Sequence, residues 1–120
     1  MSLHVEVAGS GPDLALIHGW GMHGGIWDGV RADLACHFRV HALDLPGYGT
    51  STPCRPYNLQ TLVQGVSEAL PSGANVIGWS LGGLVAQRWA LDQPQQVRRL
   101  MLVGTSPCFV QRSGWISGID

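Results

Sequence analysis

Gly78-Trp79-Ser80-Leu81-Gly82-Gly83 lies between an apolar run, Val76 to Trp79, and a stretch at helical spacing, Leu81 to Leu91, which stops before Pro94. The hexapeptide therefore spells a turn from strand to helix, and it fits the pattern G-x-S-x-G. Such a turn forces its serine into a strained backbone and lifts the hydroxyl above the sheet. The chains on either side come so close that side chains at the flanking positions would clash, which Gly78 and Gly82 avoid, with Gly83 beside them. The helix that starts at Leu81 aims unpaired N–H groups and its positive dipole end at the same spot. Ser80 is thus the candidate nucleophile, against the plainer reading of a serine that only caps a helix between packing glycines.

Outward from that turn, short β-rich runs alternate with helical spacing. Strands are expected at Leu3 to Val7, Leu14 to Ile17, Val40 to Leu43, Val76 to Trp79 and Arg99 to Val103. Trp27, Val30, Leu34 and Phe38 mark one helix; Asn58 caps a second, with Leu59, Leu62, Val63, Val66 and Leu70 as its apolar stripe. Leu45 to Pro56 holds three prolines and two glycines and reads as loop. Strands that are apolar throughout and joined by helices imply a mostly parallel, doubly wound α/β sheet.

The loop His18-Gly19-Trp20-Gly21 follows the second strand, where a parallel sheet presents its ligand-facing loops. In an acyl-transfer site the backbone N–H groups of Trp20 and Leu81 would hold the oxyanion. Trp20 would also line the acyl pocket, with His18 bracing the loop. A rival reading uses the same glycines: Gly19, Gly21 and Gly24 spell G-x-G-x-x-G, and Asp44 ends the next strand, as in a dinucleotide-binding oxidoreductase. That reading leaves the Ser80 turn unexplained, and Trp20 and Met22 crowd a loop meant for pyrophosphate.

His18-Gly19-Trp20-Gly21, Asp44-Leu45-Pro46-Gly47-Tyr48-Gly49, the Ser80 turn and Ser106-Pro107-Cys108-Phe109 together resemble the α/β-hydrolase fold. Trp20, Trp79 beside the nucleophile and the Ser-Pro-Cys-Phe stretch are similar to one group within it, the pimeloyl-[acyl-carrier protein] methyl ester esterases of biotin synthesis. The resemblance implies a serine carboxylic ester hydrolase with no cofactor and no metal. Its site would comprise Ser80, the Trp20 and Leu81 amides, Trp20 and Trp79 against substrate, and His18, Gly19, Gly21, Gly78, Gly82 and Gly83 in support. It also implies that residues 1–120 are the N-terminal portion of a single domain, ending after about the sixth strand with a lid opening near 108–120. The ester, free or borne on acyl-carrier protein, and a complementary C-terminal half are the expected partners. A thioesterase or lyase on the same fold is an alternative, as is a non-catalytic fragment.

One departure stands out. Such enzymes place the triad acid and then the histidine after the serine, yet this sequence has no histidine beyond Ser80 and only Asp92 and Asp120 as carboxylates there. His4, His23, His37 and His41 all precede it; His23 is the least implausible substitute base, and Cys36, His37 and His41 fit no usual metal spacing. The 120 residues are 45% apolar but only 12% charged, about half the usual share, as suits a sheet that expects further partners. All seven cations are arginines scattered from Arg31 to Arg112, so no basic stripe offers itself to nucleic acid or an anionic membrane. With an odd three cysteines and no apolar run of membrane-spanning length, the expectation is a soluble, cytoplasmic protein without disulfides.

Overall fold

In the computed structural model, which describes residues 2–116 and 118–119, the organising strand is β2, Asp13–Ile17. Its last four residues are buried on both faces, and that apolar run places it at the centre of a five-stranded sheet. The order is β1-β3-β2-β4-β5, with β1 (Val5–Ala8), β3 (Arg39–Leu43), β4 (Ala74–Trp79) and β5 (Val97–Val103). β1 runs antiparallel to β3 and every other pair is parallel. The five strands expected along the chain are all present, while an end at about the sixth strand is not what the described residues show: beyond β5 they form only isolated bridges, Val110 with Ile119 and Arg112 with Trp115.

Alternation along β2 sorts the two layers. Ala15 and Ile17 face a core built with Leu62, Val63 and Val66 of α2 (Leu59–Ala69) and Val85, Ala86 and Trp89 of α3 (Leu81–Asp92). Leu14 and Leu16 face the other way, onto Trp27, Leu34 and Phe38 around α1 (Asp28–Ala35). Helices on both faces make the sheet doubly wound. Asn58 caps α2 as its sequence suggests, accepting from Thr61 N–H at 2.9 Å while Thr61 Oγ1 accepts from Asn58 N–H at 3.2 Å. The first helical stretch is shorter than its spacing implies. It opens with one 3-10 turn, Gly24–Trp27, and α1 stops at Ala35, because the amides of His37 and Phe38 both close on the Leu34 carbonyl at 3.0 and 2.9 Å. Phe38 then packs from beyond the helix.

β3 and β4 flank β2 on opposite sides, so the strand order reverses at β2, and loops leaving the carboxyl ends of β2 and β4 diverge around a crevice. Ile17 is in register with Gly78 there, which sets the loop after β2 beside the turn after β4. Asp44, just past β3, fastens this end of the sheet. Its Oδ1 accepts from Gly24 N–H at 2.6 Å, its Oδ2 from Thr50 N–H at 3.2 Å, and its carbonyl from Ser51 Oγ at 2.5 Å. With each oxygen already accepting from one of the protein's own amides, Asp44 is explained as a brace of this end of the sheet without invoking a ribose. The glycine-rich loop also leads into a 3-10 turn capped by His23, so the dinucleotide reading fails on geometry.

β5 is the weakly covered edge: Leu100, Met101, Leu102 and Val103 are 36%, 58%, 42% and 44% exposed. Beside it, on the α1 face, lies an apolar groove of about 420 Å3 lined by Leu14, Leu34, Phe38, Val76, Leu100 and Met101. No described helix is long and apolar enough to cross a membrane.

Two outcomes follow from these features. Burial pushes the Asp44 carboxyl up, but the Gly24 and Thr50 amides and the nearby His4 and His18 outweigh it, so the net shift is downward. A carboxylate with a depressed folded pKa contributes stability above its ordinary value, about 3.9, and loses it as pH falls through the lowered value. Urea unfolding of the parent and Asp44→Asn should therefore show a stability gap that is constant from neutral pH down to about 4 and closes below it. An open apolar edge also favours association; sedimentation should show concentration-dependent self-association that Leu102→Lys reduces.

Candidate active site

Ser80 is the one non-glycine residue with positive φ among the described residues, at φ 54° and ψ −118°. The close approach around it supplies the reason. A Cβ on Gly82 would run into the Ile17 carbonyl and come within 2.5 Å of the His18 carbonyl oxygen. One on Gly78 would come within 2.6 Å of the Gly82 carbonyl oxygen, and one on Gly83 within 2.5 Å of the Thr105 methyl. The first turn of α3 thus lies directly on β2 and β4, and the chain can enter it only through a residue bent back on itself. Ser80 occupies the position before α3, yet its hydroxyl does not cap the helix. The plain reading of a serine that caps the helix through its side chain is therefore not what the structure shows.

The loop after β2 completes the setting. Met22 N–H donates to the Gly19 carbonyl at 3.2 Å and Gly21 has φ 75°, a type II turn with Trp20 and Gly21 at its centre. Central amides of such a turn point outward, and among the described residues neither Trp20 N–H nor Leu81 N–H has a hydrogen-bond partner. A Cβ on Gly19 would lie 3.1 Å from Ser80 Cβ and 3.1 Å from the Trp79 ring, so Gly19, Trp79 and Ser80 are in mutual contact. Trp20 extends outward, 76% exposed.

His18 is fully buried, and both ring nitrogens are used. Nε2 accepts from Leu45 N–H at 2.9 Å, which leaves the proton on Nδ1, donated to the Gly19 carbonyl at 2.8 Å. Burial pushes its pKa down, more than the Gly19 bond and Asp44 raise it, in keeping with the neutral tautomer that acceptance at Nε2 requires. The Tyr48 ring stands edge-on at 5.4 Å between centroids. His18 therefore ties the loop after β2 to the segment after β3.

The remaining histidines are placed elsewhere. His23 Nδ1 accepts from Gly25 N–H at 3.0 Å, His41 Nε2 bonds Asp13 Oδ1 at 2.8 Å, and His4 and His37 are exposed. Asp92 sits about 18 Å along α3 from Ser80 and is held by Arg88 Nε at 3.0 Å to each oxygen. Asp120 lies outside the described residues, as does Ser117, within the stretch expected to open a lid. Among the described residues no group of His, Cys, Asp and Glu is arranged to hold a metal ion.

Two residues of this neighbourhood escaped sequence reasoning. Thr105, after β5, donates its hydroxyl to the Ser80 carbonyl at 2.7 Å, and Gln87 Nε2 on α3 donates to the carbonyls of Gly83 and Ser106, both at 3.2 Å. Neither carries a motif; both act on backbone, which leaves no pattern in sequence.

Comparison with known proteins places this geometry. Residues 13–116 match the alpha/beta hydrolase fold family. The chain is 47% identical over 119 residues to a pimeloyl-[acyl-carrier protein] methyl ester esterase of Nitrosomonas europaea, covering 99% of this chain and 47% of that protein. It is 48% identical over 118 residues to the enzyme of the same name from Aeromonas salmonicida, covering 96% and 46%. Among solved structures, an esterase from Exiguobacterium antarcticum superposes with a TM-score of 0.89 at 28% identity, over 98% of this chain and 47% of that one. The chain spans about half the length of the curated relatives it matches. A strained serine between a strand and a glycine-lined helix start, on a mostly parallel doubly wound sheet, agrees with those matches: the chain belongs to the alpha/beta hydrolase fold family.

Proposed function

We propose that this chain carries the nucleophile and oxyanion-binding half of a serine carboxylic ester hydrolase. The observation that carries the reading is Ser80 itself, strained at φ 54° with a hydroxyl that caps nothing. Ser80 Oγ attacks the ester carbonyl; the carbonyl oxygen gains negative charge between the free amides of Trp20 and Leu81; collapse expels the alkoxide, and water then releases the acid from the acyl-serine. The dipole of α3 adds to the stabilisation of that oxyanion. Trp79 walls the acyl group, and Trp20 covers it from the solvent side. His18, Gly19 and Gly21 hold the amide-bearing loop, while Gly78, Gly82 and Gly83 admit the helix.

Serine needs a base to become a nucleophile at neutral pH. His18, His23 and His41 are each engaged in other hydrogen bonds, and neither Asp44 nor Asp92 is free. In this reading the base and its acid partner come from a complementary C-terminal half, docked along the exposed edge of β5, with the lid leading off from about Cys108. The 120 residues alone bind and polarise an ester but turn it over poorly, and in isolation they are a non-catalytic fragment.

The proposed substrate is the ester in the names of the relatives it matches, the methyl ester of pimeloyl-[acyl-carrier protein], cleaved to methanol and the free carboxylate, in the cytoplasm. The test is reconstitution. The chain is co-purified with the remainder of the Nitrosomonas europaea relative, and methanol release from the carrier-bound ester is measured. Turnover should appear only in the mixture and fall by about four orders of magnitude or more in Ser80→Ala. Gly82→Ala, which keeps the hydroxyl but displaces the turn, should lose most of it as well. Turnover indifferent to Ser80→Ala would overturn the assignment.

A further inference from the structure

We propose that Thr105 is a positioning residue for Ser80, its hydroxyl locking the strained turn from β5. A residue held at positive φ relaxes unless its surroundings over-determine it. Two of the bonds to Ser80 come from α3: the amides of Gly83 and Leu84 reach its carbonyl at 3.0 and 3.2 Å. A residue in helical approach would accept these in other conformations too, so they do not select this one.

The selecting contacts come from outside the helix. Ser80 N–H donates to the Val103 carbonyl at 3.0 Å, and the Ser80 carbonyl accepts from Thr105 Oγ1 at 2.7 Å. The first bond fixes the peptide plane before the Ser80 Cα and the second fixes the plane after it. With both planes tied to points two residues apart on one neighbouring segment, φ and ψ of Ser80 are set together.

Thr105 is in turn denied other positions. Its methyl fills the space that Gly83 leaves by having no side chain, where a Cβ would come within 2.5 Å of it. The next residue is tethered, since Gln87 Nε2 donates to the Ser106 carbonyl and to Gly83 at 3.2 Å each. The hydroxyl is therefore aimed by packing on one side and by a hydrogen bond on the other. Its anchor is the end of β5, the edge strand, so the presentation of Ser80 depends on the least covered strand of the sheet. Whatever closes that edge also firms up the turn.

That this matters to ester cleavage rests on Ser80 being the nucleophile; the lock itself does not, and amide hydrogen exchange on the 120-residue chain reads it without turnover. Thr105→Val removes the donor and keeps the shape, while Thr105→Ser keeps the donor and drops the methyl. In Thr105→Val the amide of Ser80, whose bond to Val103 depends on the held conformation, should exchange about fivefold faster relative to Leu16 and Leu43 at the sheet centre, with Gly83 and Leu84 affected less. Thr105→Ser should stay within about twofold of the parent. Equal acceleration of turn and sheet, no acceleration, or failure of Thr105→Ser to restore protection would each overturn the proposal. In the reconstituted protein the same pair should lower kcat with KM unchanged for Thr105→Val and leave both near parent for Thr105→Ser. Absence of turnover in every variant, with the exchange result intact, would count against the nucleophile reading alone.

Discussion

Everything at this end of the molecule depends on how closely the first turn of α3 lies against β2 and β4. At Gly82 the backbone sits so near the Ile17 and His18 carbonyls that no side chain fits. A helix packed that tightly cannot be reached from β4 by a relaxed connection, which is why Ser80 alone among the described non-glycine residues takes positive φ. Strain of this kind persists only where packing and hydrogen bonds over-determine it. Here the determinants are glycines on the inside and, on the outside, the carbonyl of Val103 and the hydroxyl of Thr105.

The same closeness organises the loop after β2. Because Ile17 pairs in register with Gly78, the turn Gly19 to Met22 arrives next to Ser80, with Gly19 against the Ser80 side chain. Two cross-braces hold it there. His18 reaches across to Leu45, and Asp44 reaches back to Gly24, so the segments after β2 and β3 move as one piece. An oxyanion site works when its donors are placed before charge develops, and under the proposed function these buried side chains are what would supply that preorganisation.

Sequence reveals those parts of this arrangement that repeat or exclude. The apolar runs of β2 and β4, the cap at Asn58 and the glycines around Ser80 each follow from period, capping chemistry or the need for space, and they suffice for a doubly wound sheet with its serine turn. Beyond the Asn58 cap, bonds between side chain and distant backbone left no such trace. Asp44 invited a nucleotide reading because an acid after a strand is a familiar signal, whereas its oxygens serve Gly24 and Thr50. Thr105 and Gln87 look like ordinary polar residues until their carbonyl partners are seen. The low charge of the chain finds its physical expression at β5, where four consecutive apolar residues are exposed.

The central claim is that Ser80 is a presented nucleophile whose base lies in a complementary half. Its most direct test is a fluorophosphonate probe read by intact mass, on the chain alone and on the chain with that half. A single adduct per chain, mapped to Ser80, formed rapidly only in the mixture and absent from Ser80→Ala, is the predicted result. An adduct on another residue, such as Tyr48 or Tyr57, or no adduct in the mixture, would contradict it.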